Sequence, residues 1–467
     1  GEAPARNVLL IVSDTLRADA LDCYGGPART PHICDLAERG VRFERARSNG
    51  PWTLPSSVSL FTGQYASEHG HEARGDAATA FYYVAEEEEL LAEQLKARGY
   101  TTRAYIENQL ARSTNALQGF DVVELHELAL HDPLGIGARF DLDVSVRREL
   151  RMLPVIVSLM QDPPVPFFTV QWIMDPHAIY SPPQRFFSRI RVDRSRLPRK
   201  LSWYSRLEAS GDSARDTRDL SAAVESFSAY EHEMLRALYH REVESVDHRV
   251  GALLAALEAG GAADDTLVIF TADHGEGFGE HGRFLHAGKW LYDEFLRIPL
   301  IVAGPGVPGG RVSSLPVSLV DLVPTLREWL GLPASARERG RSLAGLLRGD
   351  AAPDDGTHRA PYAVDRSVDG VYDALIVGRY KAIGRGDRTE IYDLEADPGE
   401  RHDLASERPE LATRLRARID DRRADDDERR RDNVRLAPSD VLDEASRATL
   451  EQLRALGYVD AEARTER

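Results

Sequence analysis

Carboxylates and an imidazole stand at the ends of two short apolar runs. Asp14 closes Asn7-Val-Leu-Leu-Ile-Val-Ser, and Asp273 and His274 close Thr266-Leu-Val-Ile-Phe-Thr-Ala. Oxygen and nitrogen donors of these types suit Zn²⁺, Mn²⁺ or Mg²⁺. Either run alone reads equally well as a plain strand-to-loop corner. Together they favour a metal, because buried carboxylates need a partner. A candidate nucleophile is Thr53, which opens Thr53-Leu-Pro-Ser-Ser57; apolar residues at helical spacing follow, and Gly63 ends the pattern. Thr53 therefore sits at or just before a helix N-terminus, where the dipole and free N–H groups favour an anion. Coordination to a metal would make its hydroxyl a nucleophile near neutral pH. Taken alone, Thr53 reads as an N-cap.

The elements that must hold these residues follow from the same patterns. The runs ending at Asp14 and Asp273, and a third ending in Asp175-Pro-His177, are short, continuous and apolar, as strands buried on both faces are. Helical stretches lie between them, among them Glu86 to Arg98, stopped by Gly99, and Leu235 to Leu257. Such alternation predicts an α/β fold with a mostly parallel sheet and helices on both faces, with ligands beyond the strands' carboxyl ends. Past Gly349 the texture changes to a Pro- and Asp-rich linker over 351 to 357. Short β-like pieces follow at Val371 to Tyr380 and Thr389 to Leu394, then a charged helix over 406 to 432 and a Leu-spaced stretch from Asp443 to Tyr458. The expected division is a catalytic domain over 1–355, a small antiparallel subdomain over 356–405 and a charged helical tail over 406–467.

Composition narrows the partners. The 467 residues carry 59 Lys and Arg against 76 Asp and Glu, a net charge of −17, which argues against a nucleic-acid binder. Two cysteines, Cys23 and Cys34, exclude a disulfide scaffold; they stand close enough in sequence to pair, but read rather as buried thiols. No apolar run reaches the roughly eighteen residues of a membrane span. The chain begins at Gly1 with no visible signal peptide. An exported or periplasmic protein whose targeting segment has been removed is one expectation, and oligomeric state is left open.

The motifs, in order, resemble the sulfatase family of the alkaline phosphatase superfamily over nearly the whole chain. They are Val12-Ser-Asp14-Thr-Leu-Arg17-Ala-Asp19, Thr30-Pro31 through Gly40-Val-Arg-Phe43, Thr53-Leu-Pro55-Ser56 with Thr62-Gly63, and Asp175-Pro-His177. Thr271-Ala-Asp273-His274-Gly275-Glu276, Leu291-Tyr-Asp-Glu294 with Arg297-Ile-Pro-Leu-Ile301, Pro316 to Asp321, and Ile391-Tyr-Asp-Leu394 with Asp397-Pro398 and Glu400 continue the series. The resemblance implies an alkaline-phosphatase-like three-layer α/β/α sandwich with a small C-terminal antiparallel subdomain, and a metal-assisted ester-cleaving site. It puts Asp14, Asp273 and His274 in the metal-ligand positions, with Thr53 as nucleophile and fourth ligand.

The departures from the family pattern steer the expected chemistry. Sulfatases carry Cys or Ser at the Thr53 position, ahead of x-Pro-Ser-Arg, and convert it to formylglycine. Threonine cannot become that aldehyde by the same oxidation, and Ser57 replaces the arginine. A threonine ester must be cleared by water or an acceptor attacking the central atom, the route of the phospho-transferring relatives. Asp-His at 273–274, in place of the Asp-Asn common in calcium sulfatases, favours Zn²⁺ or Mn²⁺, with Ca²⁺ and Mg²⁺ open. One ion is favoured over two, because the spacing of Asp175 to His177 does not match two-zinc phosphodiesterases. His177 resembles the histidine that contacts the transferred group or leaving oxygen, against a plain turn histidine. His286 and Lys289 lie where relatives carry an anion-contacting His or Lys. The family lysine has no counterpart near Glu107-Asn108, where Asn108 could donate a hydrogen bond instead. Trp52 either lines the substrate pocket or fixes the nucleophile loop. A basic stretch from Arg185 to Arg206, with Trp203 and Tyr204, reads as an anion-steering mouth or a solvated insertion. The expected function is hydrolysis of a small anionic phosphoester, a phosphodiester or phosphonate monoester. Sulfuric ester hydrolysis is the alternative, and phospho-group transfer to a sugar or lipid hydroxyl the second alternative.

Overall fold

A computed structural model of the chain describes residues 6–69, 82–84, 89–108, 115–125, 151–161, 166–178, 180, 182–188, 190, 224–286, 290–350, 360–367, 370–433 and 435–436. Lys289, most of the basic stretch after Arg185, the linker over 351 to 357 and the stretch from Asp443 to Tyr458 lie outside the described residues.

The main sheet has eight strands: β1 (Asn7–Ser13), β2 (Gly40–Phe43), β3 (Thr101–Ile106), β4 (Val122–Leu125), β5 (Phe167–Ile173), β6 (Thr266–Ala272), β7 (Leu300–Ala303) and β8 (Arg311–Ser313). Their order is β8-β2-β7-β6-β1-β5-β3-β4, and only β7 runs against the rest. Every residue of β1, β5 and β6 is buried, which is why these strands read as unbroken apolar runs rather than alternating ones.

Helices close both faces. On one, α1 (Pro31–Glu38) and α4 (Leu153–Met160) pack on the long α5 (Ala229–Ala259). On the other, Leu60 and Phe61 of α2 (Thr53–Thr62), Leu91 of α3 (Leu91–Ala97), and Leu322 and Leu326 of α6 (Leu322–Trp329) meet Leu10 and Phe168 of the sheet. The sequence signals locate most of these ends. Gly99 stops the α3 segment with φ 84°, and Gly63 ends α2 with φ 70°, both in the left-handed region. Ser228 caps α5, with Glu231 reaching back to its N–H, so α5 starts ahead of the Leu235 to Leu257 stripe.

A separate antiparallel sheet follows: β9 (Tyr362–Ser367), β10 (Gly370–Val377), β11 (Tyr380–Arg385) and β12 (Arg388–Asp393), in that order. The segment expected as one piece over Val371 to Tyr380 is strand β10 plus a turn at Gly378 and the start of β11, and β9 was not foreseen. The charged helix is present as α7 (Pro409–Asn433). Its Leu415 and Ile419 are buried against this sheet.

Candidate active site

Four neighbouring parallel strands, β6, β1, β5 and β3, end at one edge of the sheet. Ser13 pairs with Ala272 on one side and Ile173 on the other, so Asp14, Asp273-His274 and the Asp175–His177 turn leave the sheet side by side. Ile106 pairs with Trp172, which brings Glu107 and Asn108 to the same edge. The residues scattered over the chain are thus gathered by strand order alone.

Asp14, Asp273 and His274 are fully buried, and their ligand-type atoms lie within 4.8 Å of one another. Each carboxylate has one oxygen engaged. Asp14 Oδ2 accepts from Asn108 Nδ2 at 2.7 Å and Trp172 Nε1 at 3.2 Å, and Asp273 Oδ1 accepts from the N–H groups of Thr15 at 3.1 Å and His274 at 2.8 Å. Thr15 adopts φ 53°, a left-handed conformation that β-branched residues avoid, and its N–H thereby meets Asp273. The other oxygens, Asp14 Oδ1 and Asp273 Oδ2, are buried without a hydrogen bond, and they lie 3.8 and 3.3 Å from His274 Nε2. His274 Nδ1 is 2.9 Å from the Gly275 carbonyl, which only accepts, so Nδ1 carries the proton and Nε2 presents its lone pair. Burial pushes the Asp14 carboxyl up, and burial with the charge of Asp14 pushes Asp273 up further. Two orphaned buried carboxylate oxygens and an imidazole lone pair aimed at one point fit a divalent cation, which removes their mutual repulsion. Gly275 is needed at this corner, because a Cβ there would lie 2.1 Å from the Glu294 carbonyl oxygen.

Thr53 is the first residue of α2, and the N-cap position belongs to Trp52. The Thr53 hydroxyl is therefore not spent as a cap. Its Oγ1 lies 3.3 Å from His274 Nε2 and 3.4 Å from Asn108 Nδ2, fully buried beside the carboxylates. Ser57 turns its hydroxyl back to the Leu54 carbonyl at 3.1 Å and contributes no charge where an arginine was expected by family pattern. Asn108 links Asp14 to Thr53 through a single amide.

Two further histidines stand against the cluster. The His286 ring centre lies 4.9 Å from that of His274 and 4.6 Å from that of His177. His286 Nδ1 is 2.9 Å from Glu276 Oε1, and the Tyr180 hydroxyl donates to Glu276 Oε2 at 3.0 Å. Burial pushes the Glu276 carboxyl up to about 8, against the opposing pull of His177 and Tyr180.

Two sequence readings resolve into supporting contacts. Asp175 receives Arg249 Nη1 at 3.2 Å, and Arg249 also binds Glu107, all three being buried, so Asp175 belongs to an ion-pair network beneath the site. The Trp52 indole is 1 % exposed and donates to Asp365 Oδ1 at 3.0 Å, tying the loop ahead of Thr53 to β9. Trp172, Glu276, Tyr180 and Arg249 were not singled out from sequence. Only Glu276 stood inside a quoted motif; the others act through neighbours distant in the chain.

The family model for sulfatases matches residues 6–332, and that for the C-terminal region of N-sulphoglucosamine sulphohydrolase matches residues 279–425. An arylsulfatase of Clostridium perfringens is 24% identical over 387 residues, covering 73% of this chain and 78% of that one. Among solved structures, a 2-O GAG sulfatase superposes with a TM-score of 0.72 at 22% identity, covering 94% of this chain and 96% of that one. The phosphonate monoester hydrolase of Agrobacterium radiobacter superposes with a TM-score of 0.71 at 21% identity, covering 91% and 96%. With the fold, the ordered motifs and a family match over most of its length in agreement, the chain belongs to the sulfatase family of ester-hydrolysing enzymes.

Proposed function

We propose that this enzyme hydrolyses a singly charged phosphoester, a phosphodiester or phosphonate monoester, with Thr53 as nucleophile. The observation that carries the reading is the position of Thr53 Oγ1 at the first residue of α2, 3.3 Å from His274 Nε2. A divalent metal held by Asp14, Asp273 and His274, with zinc or manganese matching the nitrogen donor, would acidify the Thr53 hydroxyl and draw charge from the substrate oxygens.

The chain's own groups supply the rest. The Thr53 and Leu54 N–H groups, at the start of α2, lie where a helix offers no intrahelical acceptor and would meet developing negative charge. Asn108 fixes the Thr53 hydroxyl relative to Asp14. Thr53 Oγ, its proton lost to solvent, attacks phosphorus in line, forming an O–P bond while the bond to the leaving oxygen breaks. His177 or His286 gives the leaving oxygen its proton. Water then attacks the same phosphorus, the Thr53–O–P bond breaks, and threonine is regenerated. Replacement of arginine by Ser57 leaves fewer fixed positive charges for a doubly charged monoester. The phosphonate monoester hydrolase fold neighbour supports this reading.

Sulfuric ester hydrolysis is the second reading, favoured by the arylsulfatase relative. One experiment separates them: turnover of an aryl sulfate, phosphate monoester, phosphodiester and phosphonate monoester sharing one leaving group, by manganese- and zinc-loaded enzyme. Diester or phosphonate turnover exceeding the others by orders of magnitude supports the phosphoester reading. Dominant sulfate turnover overturns it.

A further inference from the structure

The only two cysteines among the 467 residues, Cys23 and Cys34, are brought together by the fold. Cys23 lies in the single turn Asp22–Tyr24, on the segment that leaves Asp14, and Cys34 lies on α1. The Cys23 N–H points at Cys34 Sγ at 3.2 Å, and the two sulfurs and an Asp22 oxygen lie within 4.8 Å of one another. That puts the Cys34 sulfur within one side-chain length of the Cys23 backbone, the reach a disulfide needs. Both are partly exposed thiols, not the buried ones expected from the sequence. The loop between them is held in place by pairing of Leu21 with Ala28, and by the Thr30 hydroxyl, which bonds Asp22.

The same three residues could be taken for a cation site, but the geometry opposes it. Asp22 Oδ1 already accepts from the Cys34 thiol at 2.6 Å, the Cys23 N–H at 3.1 Å and the Thr30 hydroxyl. Its remaining partners are therefore few, and Asp22 is exposed.

We propose that Cys23 and Cys34 are a redox-active pair that closes to an intramolecular disulfide, tying the segment after Asp14 to α1. With a small disulfide such as oxidised glutathione, the Cys23 thiolate attacks one sulfur and expels one glutathione thiolate, forming a mixed disulfide. Cys34 then loses its proton to solvent and attacks Cys23 Sγ, expelling the second glutathione thiolate. Two protein thiols are oxidised and one disulfide is reduced to two thiols. The order of attack follows from the hydrogen bonds. Contact with Cys34 holds the Cys23 thiol below its usual range, while Cys23, burial and the Asp22 carboxylate hold Cys34 above it.

The test equilibrates the folded protein in glutathione buffers of graded oxidation, traps free thiols with an alkylating agent, and reads intact and peptide masses. The expected result is loss of both alkylation sites together, with the Cys23 and Cys34 peptides joined and two hydrogens lost. The melting temperature should rise on oxidation in the wild type and stay unchanged in Cys34→Ser and Cys23→Ser. Cys34→Ser should instead accumulate a glutathione adduct at Cys23. Full alkylation of both thiols at the oxidising limit, stable glutathione adducts on the wild type, intermolecular dimers, or zinc binding that replaces disulfide formation would each overturn the proposal.

Discussion

At Thr53 the difference between a cap and the proposed nucleophile comes down to where one oxygen points. Its Oγ1 faces His274 and Asn108 instead of the helix's own N–H groups. Thr53→Ala should therefore lower turnover by at least about 10³-fold with metal content unchanged by elemental analysis, since Asp14, Asp273 and His274 all remain. Thr53→Ser should retain measurable activity; an active alanine variant would remove Thr53 from the chemistry. Asn108 belongs to the same unit, because its amide holds Asp14 Oδ2 as well as the hydroxyl. Asn108→Ala should cost about 10–100-fold in metal affinity or activity, readable by titrating metal into the chelated enzyme. The carboxylate cluster was legible because carboxylates at the ends of apolar runs are conspicuous. Trp172 was not, since an indole inside a strand looks like core until its N–H is seen to meet Asp14.

Elements were legible wherever one local signal dominated. The buried strands announced themselves as apolar runs, and the α3 segment ended at its glycine. Strand β9 escaped notice because Tyr362–Ser367 mixes buried apolar residues with Asp365, whose role is to meet Trp52. Helix α7 was recognised by its charges, but its docking rests on charges that no local pattern reveals. Arg339 binds Glu68 at 2.9 Å and Asp425 at 2.6 Å, and Ser67 donates to Asp426 at 2.5 Å. Burial, together with the nearby charge of Asp426, pushes the Glu68 carboxyl from 4.5 up to about 7. A carboxyl raised in the folded state holds its proton more tightly there than in the unfolded chain. Its contribution is thus fully present below about pH 4.5 and is lost as pH rises through 7. Melting curves of wild type and Glu68→Gln should therefore diverge between pH 5 and 8, the wild type losing on the order of 3 kcal/mol relative to the variant. Parallel curves would show that the neighbouring arginines already cancel the penalty.

Across the whole molecule, the antiparallel sheet is coupled to the loop ahead of Thr53 by buried polar contacts. Asn49 Nδ2 donates to the Tyr362 carbonyl at 2.8 Å, the Val364 N–H donates to the Asn49 carbonyl at 3.2 Å, and Trp52 donates to Asp365. Beside them lies an ionic knot. Lys381, fully buried on β11, is 2.8 Å from Asp293 and 2.8 Å from Glu400, and Arg47 grips Asp293 at 2.7 Å. Burial alone would raise the Asp293 carboxyl, yet Arg47 and Lys381 hold it well below the usual range. We propose that the change of architecture after residue 350 does not mark a separable unit. Lys381→Met tests that coupling. It fills the same space but leaves Asp293 and Glu400 facing each other with one cation fewer, and breaking such a buried group costs about 3–5 kcal/mol. Because Arg47 lies only a few residues before Thr53 and now carries Asp293 alone, the loss should not stay local. The melting temperature should fall, and turnover should drop even at temperatures where the variant remains folded by circular dichroism. A variant that melts early but turns over normally while folded would show that the sheet stabilises the catalytic loop without positioning it.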